Sequence, residues 1–237
     1  MKLSIAIFPD THHLAQEYSG QEDYIRRLTM QTLKLYGTPA SGHCHRVELL
    51  LRMLELPYEY CEAPATVRQS EAFLRLNPIG QIPVLLADGQ VLTDSNAIMV
   101  YLVKRYAPDS HWLPEDPLAA AQVQAWLSKA AGEVRYGPAS CRMVVQFSAP
   151  ENYQSAQAIS ARFLAQLEQH LAEREFLATS LPTIADLACY SYVAVAPEGG
   201  LSLKTFPAIQ RWLDRIAALP RFFRMPALPL PDQAVGQ

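Results

Sequence analysis

The chain has 237 residues and a formal net charge of −3 at pH 7, long enough for one large or two small domains that each bury a core. The slight acidity and the scattering of Lys and Arg leave no electrostatic footprint for nucleic acid or an anionic membrane as partner. No apolar run approaches the roughly 20 residues that span a bilayer. Cys44, Cys61, Cys141 and Cys189 are far apart, with neither Cys-x-x-Cys spacing nor disulfide-framework density, which reads as a reducing, cytoplasmic compartment.

Residues 1–29 have weak periodicity and read as an appended extension, with Met30 as a candidate initiator; the alternative is an ordered short strand and helix. The apolar start is short and lacks a small-residue cleavage site, so no secretory signal is expected. From Leu33 the pattern sharpens into a strand over 33–36, a loop over 37–42, a helix over about 44–56 and a strand around 58–61, a βαβ opening. Val47, Leu50, Leu51 and Leu54 fall at i, i+3, i+4 and i+7, one buried stripe, and Pro57 stops the helix. A short helix near 70–76 ends at Asn77-Pro78, because the residue before proline resists helical φ/ψ. Pro83 opens the next strand; it cannot donate to a ladder, so it belongs at an edge or at a special bond, and an Ile-Pro step tolerates a cis peptide. Asp88-Gly89 supplies a tight hairpin turn to a second strand. A helix over 95–106 completes βαβαββα.

The proline-rich stretch 107–117 marks a domain boundary. Beyond it only helical periods occur, over about 118–134, 153–174, 184–195 and 207–218, followed by an irregular tail around Pro226, Pro229 and Pro231. The expected partition is an extension 1–29, an α/β domain 30–107, a linker 108–116, an all-α domain 117–225 and a tail 226–237. Thr183-Ile184-Ala185-Asp186 reads as a capping box, with Pro182 and Leu187 as a hydrophobic staple.

The chemistry concentrates in the first half. Ser41-Gly42-His43-Cys44 lies where thioredoxin-like dithiol proteins carry Cys-x-x-Cys. A serine there cannot form a disulfide, but its hydroxyl can donate to a thiolate supplied by a ligand, beside a helix start whose dipole favours anions. Lowering a thiol pKa from about 8.5 to about 6.5 raises its ionised fraction at pH 7 from about 3% to about 75%, worth about 2.7 kcal/mol. The competing reading is that Ser41 only caps the helix. Cys44 reads as a small core residue, and Tyr36 as a packing residue with a lesser claim on a thiolate. His43 and His45 point apart on a helix and make no metal site. At the sheet edge the backbone of Ile82 can pair with an extended peptide. Asp94 can hold an ammonium, and Ser95 at a helix start can hold a carboxylate. Together these describe a small zwitterionic peptide. In the helical half, Arg135, Tyr136 and Arg142 surround a Gly-Pro break and are candidates for a second-substrate wall; packing is the competing reading.

From Leu33 to Met225 the chain resembles the bacterial cytosolic glutathione S-transferases. The resemblance rests on Tyr-Gly-Thr-Pro-Ala-Ser-Gly at 36–42, Arg46-Val47, Asn77-Pro78-x-Gly-x-Ile-Pro-Val-Leu, Asp94-Ser95 and Pro-Thr-Ile-Ala-Asp-Leu-Ala. It implies a thioredoxin-like N-terminal domain followed by an all-helical C-terminal domain, usually as a homodimer. It further implies glutathione as cosubstrate with no metal, the γ-glutamyl carboxylate at Ser95, its amine at Asp94, and the cysteinyl backbone at Ile82 beside a cis Pro83. Arg68, Gln69 and Gln81 become candidates for the glycine carboxylate, and Ser41 matches the activating serine of theta-like and zeta-like members. In cysteine-type members the thiol falls near Gly42 or His43, and neither is cysteine here. The 29 leading residues have no counterpart, and the loop 178–181 lacks an expected glycine. The expected activity is conjugation of the glutathione thiolate to an electrophilic, largely apolar small molecule. The alternatives are a thiol reductase or peroxidase using Cys44 and a non-catalytic binding module.

Overall fold

The structure is a computed structural model that describes residues 32–230, so the readings made for residues 1–29, Met30 and Pro231 lie outside the described residues. β1 (Leu33–Gly37) alternates buried and half-buried residues, the period of a pleated strand. It pairs in parallel with β2 (Tyr58–Glu62) and antiparallel with β3 (Val84–Ala87). β3 turns through Asp88-Gly89 into β4 (Gln90–Thr93), giving the order β2-β1-β3-β4. The turn residues have φ of 50° and 75°, the positive values a two-residue hairpin requires. α1 (Gly42–Met53) crosses between β1 and β2, α2 (Ala65–Arg68) and α3 (Glu71–Leu76) lead to β3, and α4 (Ser95–Tyr106) follows β4.

Val47, Leu50 and Leu51 of the predicted stripe pack on Leu33, Leu35 and Leu85 from the sheet and on Ile98 and Leu102 from α4. Each such fully buried side chain contributes about 1.5–3 kcal/mol. Leu54 is only partly buried, because α1 ends at Met53 and Glu55 already has a positive φ of 55°. The helix therefore stops ahead of the Pro57 signal. The short α2 carries too few residues to show a period and escapes a sequence reading.

Beyond the connector every described element is helical. These are α5 (Pro117–Lys129), a π-helical segment (Ala130–Ala139), α6 (Ser140–Phe147), α7 (Tyr153–Leu171), α8 (Ile184–Val193), a 3₁₀ turn (Ala196–Gly199) and α9 (Pro207–Ala217). The expected helix end near Val134 and the break at Gly137-Pro138 are not found: helical structure runs unbroken from Pro117 to Phe147. Proline removes a donor and crowds the preceding turn of an α-helix, and the wider π turn absorbs both effects.

All ten residues of α8 are buried, Asp186 and Ser191 included, so their polar groups must find partners inside the protein. Its capping box is present: Thr183 Oγ1 accepts from the Ala185 N–H, and Asp186 Oδ2 accepts from the Thr183 N–H at 2.9 Å. Asp186 Oδ1 also accepts from the Leu177 N–H and the Trp212 indole N–H, both at 2.9 Å. α1 docks the sheet domain onto α8. A Cβ on Gly42 would come within 2.8 Å of the Tyr192 ring, so only glycine permits that approach. Three residues on, His45 donates from Nε2 to the Phe223 carbonyl and meets Ser191 Oγ through Nδ1, each at 2.9 Å. No helix among the described residues is long and apolar enough to cross a membrane.

Candidate active site

Ser41 is the N-cap of α1, in extended backbone at φ −87° and ψ 118°, and its Oγ accepts from the Cys44 N–H at 3.3 Å. A hydroxyl offers one donor and two acceptor lone pairs. Capping uses the oxygen and leaves the O–H to donate elsewhere, so the two readings of Ser41 are compatible in one group.

Ser41 lines a cavity of about 400 Å³ at the seam between the two halves of the molecule. From the sheet side His43, Arg68, Gln81 and Ile82 join it; from the helical side come Arg135, Arg142, Met143, Phe147 and Tyr192. The Ile82–Pro83 bond is cis. Asn77, buried beneath this edge, donates from Nδ2 to the Gln81 carbonyl at 2.8 Å and so fixes the loop.

Asp94 caps α4 with φ of 66°, and its Oδ1 accepts from the Asn96 and Ala97 N–H groups at 2.9 Å. One carboxylate oxygen is thereby engaged, and the exposed side chain keeps the other. Ser95 is buried; its Oγ lies 3.3 Å from His43 Nδ1 and 3.5 Å from Arg46 Nη1. A single histidine side chain therefore separates the Asp94-Ser95 corner from the Ser41 turn.

The remaining sequence candidates distribute unevenly. Arg142 lines the cavity, but Nε donates to Glu198 Oε2 at 2.6 Å and Nη1 to the Ala40 carbonyl at 2.8 Å. Its work is to anchor the Ser41 turn to α6. Tyr136 is 60% exposed and lies outside the cavity, in a separate depression with Ser140 and Glu151. It shares that depression with Arg135, whose guanidinium lies 5.4 Å from its ring centroid, and Arg135 alone of the two also reaches the Ser41 cavity. Gln69 lines a shallow depression with Leu74 and Pro78 next door, and Arg68 borders both. Tyr36 packs edge-on against Phe73, with centroids 6.0 Å apart. Cys44 is buried, and that burial pushes its thiol up to about 11.

Two groups carry more than the sequence suggested. His43, weighed there only as a metal ligand, faces the cavity. Its imidazole is held down to about 2, first by burial and then by the nearby Arg46 and Arg135 guanidinium groups. Arg46, read only as a family mark, is a fully buried cation whose Nη1 donates to Asn96 Oδ1 at 3.1 Å. Its position two residues after Ser41 plus one helical turn was available from the spacing of α1, but the partner in α4 was not.

A thioredoxin-like sheet domain joined to an all-helical domain, with a serine-lined cavity where they meet, is thus the class of protein that the geometry defines. Residues 35–110 match the glutathione S-transferase N-terminal domain and residues 133–220 the glutathione S-transferase C-terminal domain. The chain belongs to the glutathione S-transferase family. Glutathione S-transferase 3 of Zea mays is 30% identical over 218 residues, 85% of this chain and 97% of that protein. The crystal structure of a glutathione S-transferase from Pseudomonas fluorescens superposes with a TM-score of 0.77 at 32% identity, covering 82% of this chain and 99% of that one. A glutathione transferase homolog from Drosophila mojavensis, solved with bound glutathione, gives 0.72 at 26% identity over 80% and 89% of the two chains.

Proposed function

We propose that the protein is a serine-type glutathione transferase that joins the glutathione thiolate to an electrophilic, largely apolar small molecule. The observation that carries the reading is the Ser41 hydroxyl: its oxygen is engaged by the Cys44 N–H, its O–H remains to donate, and it shares one cavity with Gln81, Ile82, Met143 and Phe147. Glutathione takes the sheet edge. The cysteinyl backbone lies along Ile82 beside Pro83, and the γ-glutamyl amine meets the second oxygen of Asp94. The γ-glutamyl carboxylate takes the start of α4 at Ser95, whose backbone N–H has no intrahelical acceptor. Arg68 and Gln81 receive the glycine carboxylate. The sulfur then attacks an electrophilic carbon seated against Met143 and Phe147, and the leaving group departs as an anion.

Ser41 works by preference for the anion: an O–H aimed at sulfur stabilises the thiolate over the thiol. Ultraviolet titration of glutathione bound to the wild type and to Ser41→Ala, together with conjugation to an activated aryl chloride, tests this. The expected result is a bound-thiol pKa raised by about one to two units in the variant and a loss of about 10- to 100-fold in kcat/KM at neutral pH. An unchanged thiol pKa rejects the role given to Ser41. A homodimer and a cytoplasmic location belong to the same proposal. Light scattering that returns the mass of a single chain at micromolar concentration would reject the dimer.

A further inference from the structure

His43 lies two residues after Ser41 on the first turn of α1 and lines the same cavity. Its Nδ1 is 3.3 Å from Ser95 Oγ, which is 3.5 Å from Arg46 Nη1. The direction of this chain of hydrogen bonds follows from what each group can do. A guanidinium only donates, so the Ser95 oxygen accepts from Arg46. The Ser95 hydroxyl is left with one hydrogen, in a residue 4% exposed, and a buried donor without an acceptor is costly. His43 Nδ1 is the acceptor within reach. The tautomer is thereby fixed with its proton on Nε2, which has no protein partner among the described residues. Burial and the cationic neighbours Arg46 and Arg135 keep the ring neutral, so it remains an oriented N–H donor across the working pH range.

Resting on the transferase reading above, we propose that the Nε2–H of His43 is a second hydrogen-bond donor to the glutathione sulfur, alongside Ser41, with Ser95 and Arg46 as its positioning residues. The histidine accepts no proton in this role. The thiol proton leaves to solvent, the imidazole stays neutral, and the donor serves the thiolate better than the thiol. Separations of 3.3 and 3.5 Å are at the long end of hydrogen bonding, and such contacts tighten when the ligand is bound.

The test is the pKa of the enzyme-bound thiol, read from thiolate absorbance in wild type, His43→Phe, His43→Gln and Ser95→Ala. His43→Phe keeps a ring against Tyr192 but removes the donor; the bound-thiol pKa is expected to rise by about one unit, and kcat/KM at neutral pH to fall about tenfold. The glutathione Kd stays within about threefold of wild type, since the donor discriminates between thiolate and thiol rather than holding the tripeptide. His43→Gln retains an N–H and recovers at least half of the shift. Ser95→Ala, with the donor loosened, shows a partial rise. His43→Met replaces the phenylalanine variant if the latter does not fold. An unshifted thiol pKa in a folded donorless variant overturns the proposal, and so does a weakened glutathione Kd with the thiol pKa unchanged, which would place the donor on a carboxylate. Neither result touches Ser41, whereas a wild type that binds glutathione without ionising it overturns the underlying transferase reading.

Discussion

Cys44 and Ser41 are three residues apart in one turn, yet burial separates their chemistry. The Ser41 hydroxyl opens on the cavity, while the Cys44 thiol faces Gly37 closely enough that a Cβ on that glycine would lie 2.8 Å from its sulfur. With the thiol pushed up to about 11 by burial, its thiolate fraction at neutral pH is on the order of one in ten thousand. A mixed disulfide needs a thiolate that a ligand can reach, and Cys44 offers neither property. Cys44→Ala is therefore expected to retain conjugation activity within about threefold and to lose about 1 kcal/mol of stability. Mass spectrometry during turnover checks the same point. A glutathione adduct on Cys44, lost together with activity in the alanine variant, would reinstate the reductase reading.

At the scale of single elements, Asp186 shows how a local motif understates its own weight. The capping box is legible because Thr183 and Asp186 are three residues apart, and such a box is worth about 1 kcal/mol. The structure adds the Leu177 N–H and the Trp212 indole as donors on the other carboxylate oxygen, partners from another loop and from α9 that no spacing rule announces. Asp186→Asn would turn an amide NH₂ toward N–H groups and strand at least one of them in the core. The expected loss is about 3 kcal/mol, which lowers Tm by about 6–12 °C in a chain of this size; a scanning calorimetry shift no larger than that of Thr183→Ala would refute it. The same distinction between local and distant causes explains the rest of the reading. The strands and the Asp88-Gly89 hairpin were legible because period and turn chemistry are local. The helix through Gly137-Pro138 was not, because its course depends on close packing: a Cβ on Gly137 would come within 3.0 Å of Ser160 Oγ on α7.

For the whole molecule the site exists only where two domains meet, and that sets both what could be read and how the protein answers to pH. The sheet-side residues form motifs in one short stretch of chain. The helical wall is defined by docking, through Arg142 to the Ala40 carbonyl and Gly42 against Tyr192, so Phe147 and Tyr192 had no signal in the sequence. His45 closes the same seam. Burial holds its pKa down to about 4 and that of His43 to about 2, against about 6.5 in an unfolded chain. For a base with a lowered folded pKa, the unfolded chain takes up the proton first. Its contribution to stability is therefore complete above about pH 6.5 and is lost as pH falls toward the folded value. Each histidine then removes about 1.4 kcal/mol per pH unit, or about 2 kcal/mol by pH 5. Glu59 and Asp88, held below the ordinary carboxylate range by hydrogen bonds from Lys34 and Arg105, add their loss only at lower pH. Urea unfolding at pH 7.5 and pH 5 should thus show a fall of about 4 kcal/mol, a large share of a typical domain's stability. His45 is buried between Ser191 and the Phe223 carbonyl, so the cost of charging it acts at the domain seam. His45→Gln is expected to be less stable at pH 7.5 yet to lose about 2 kcal/mol less on acidification; an equal fall in wild type and variant would remove His45 from the account of acid sensitivity.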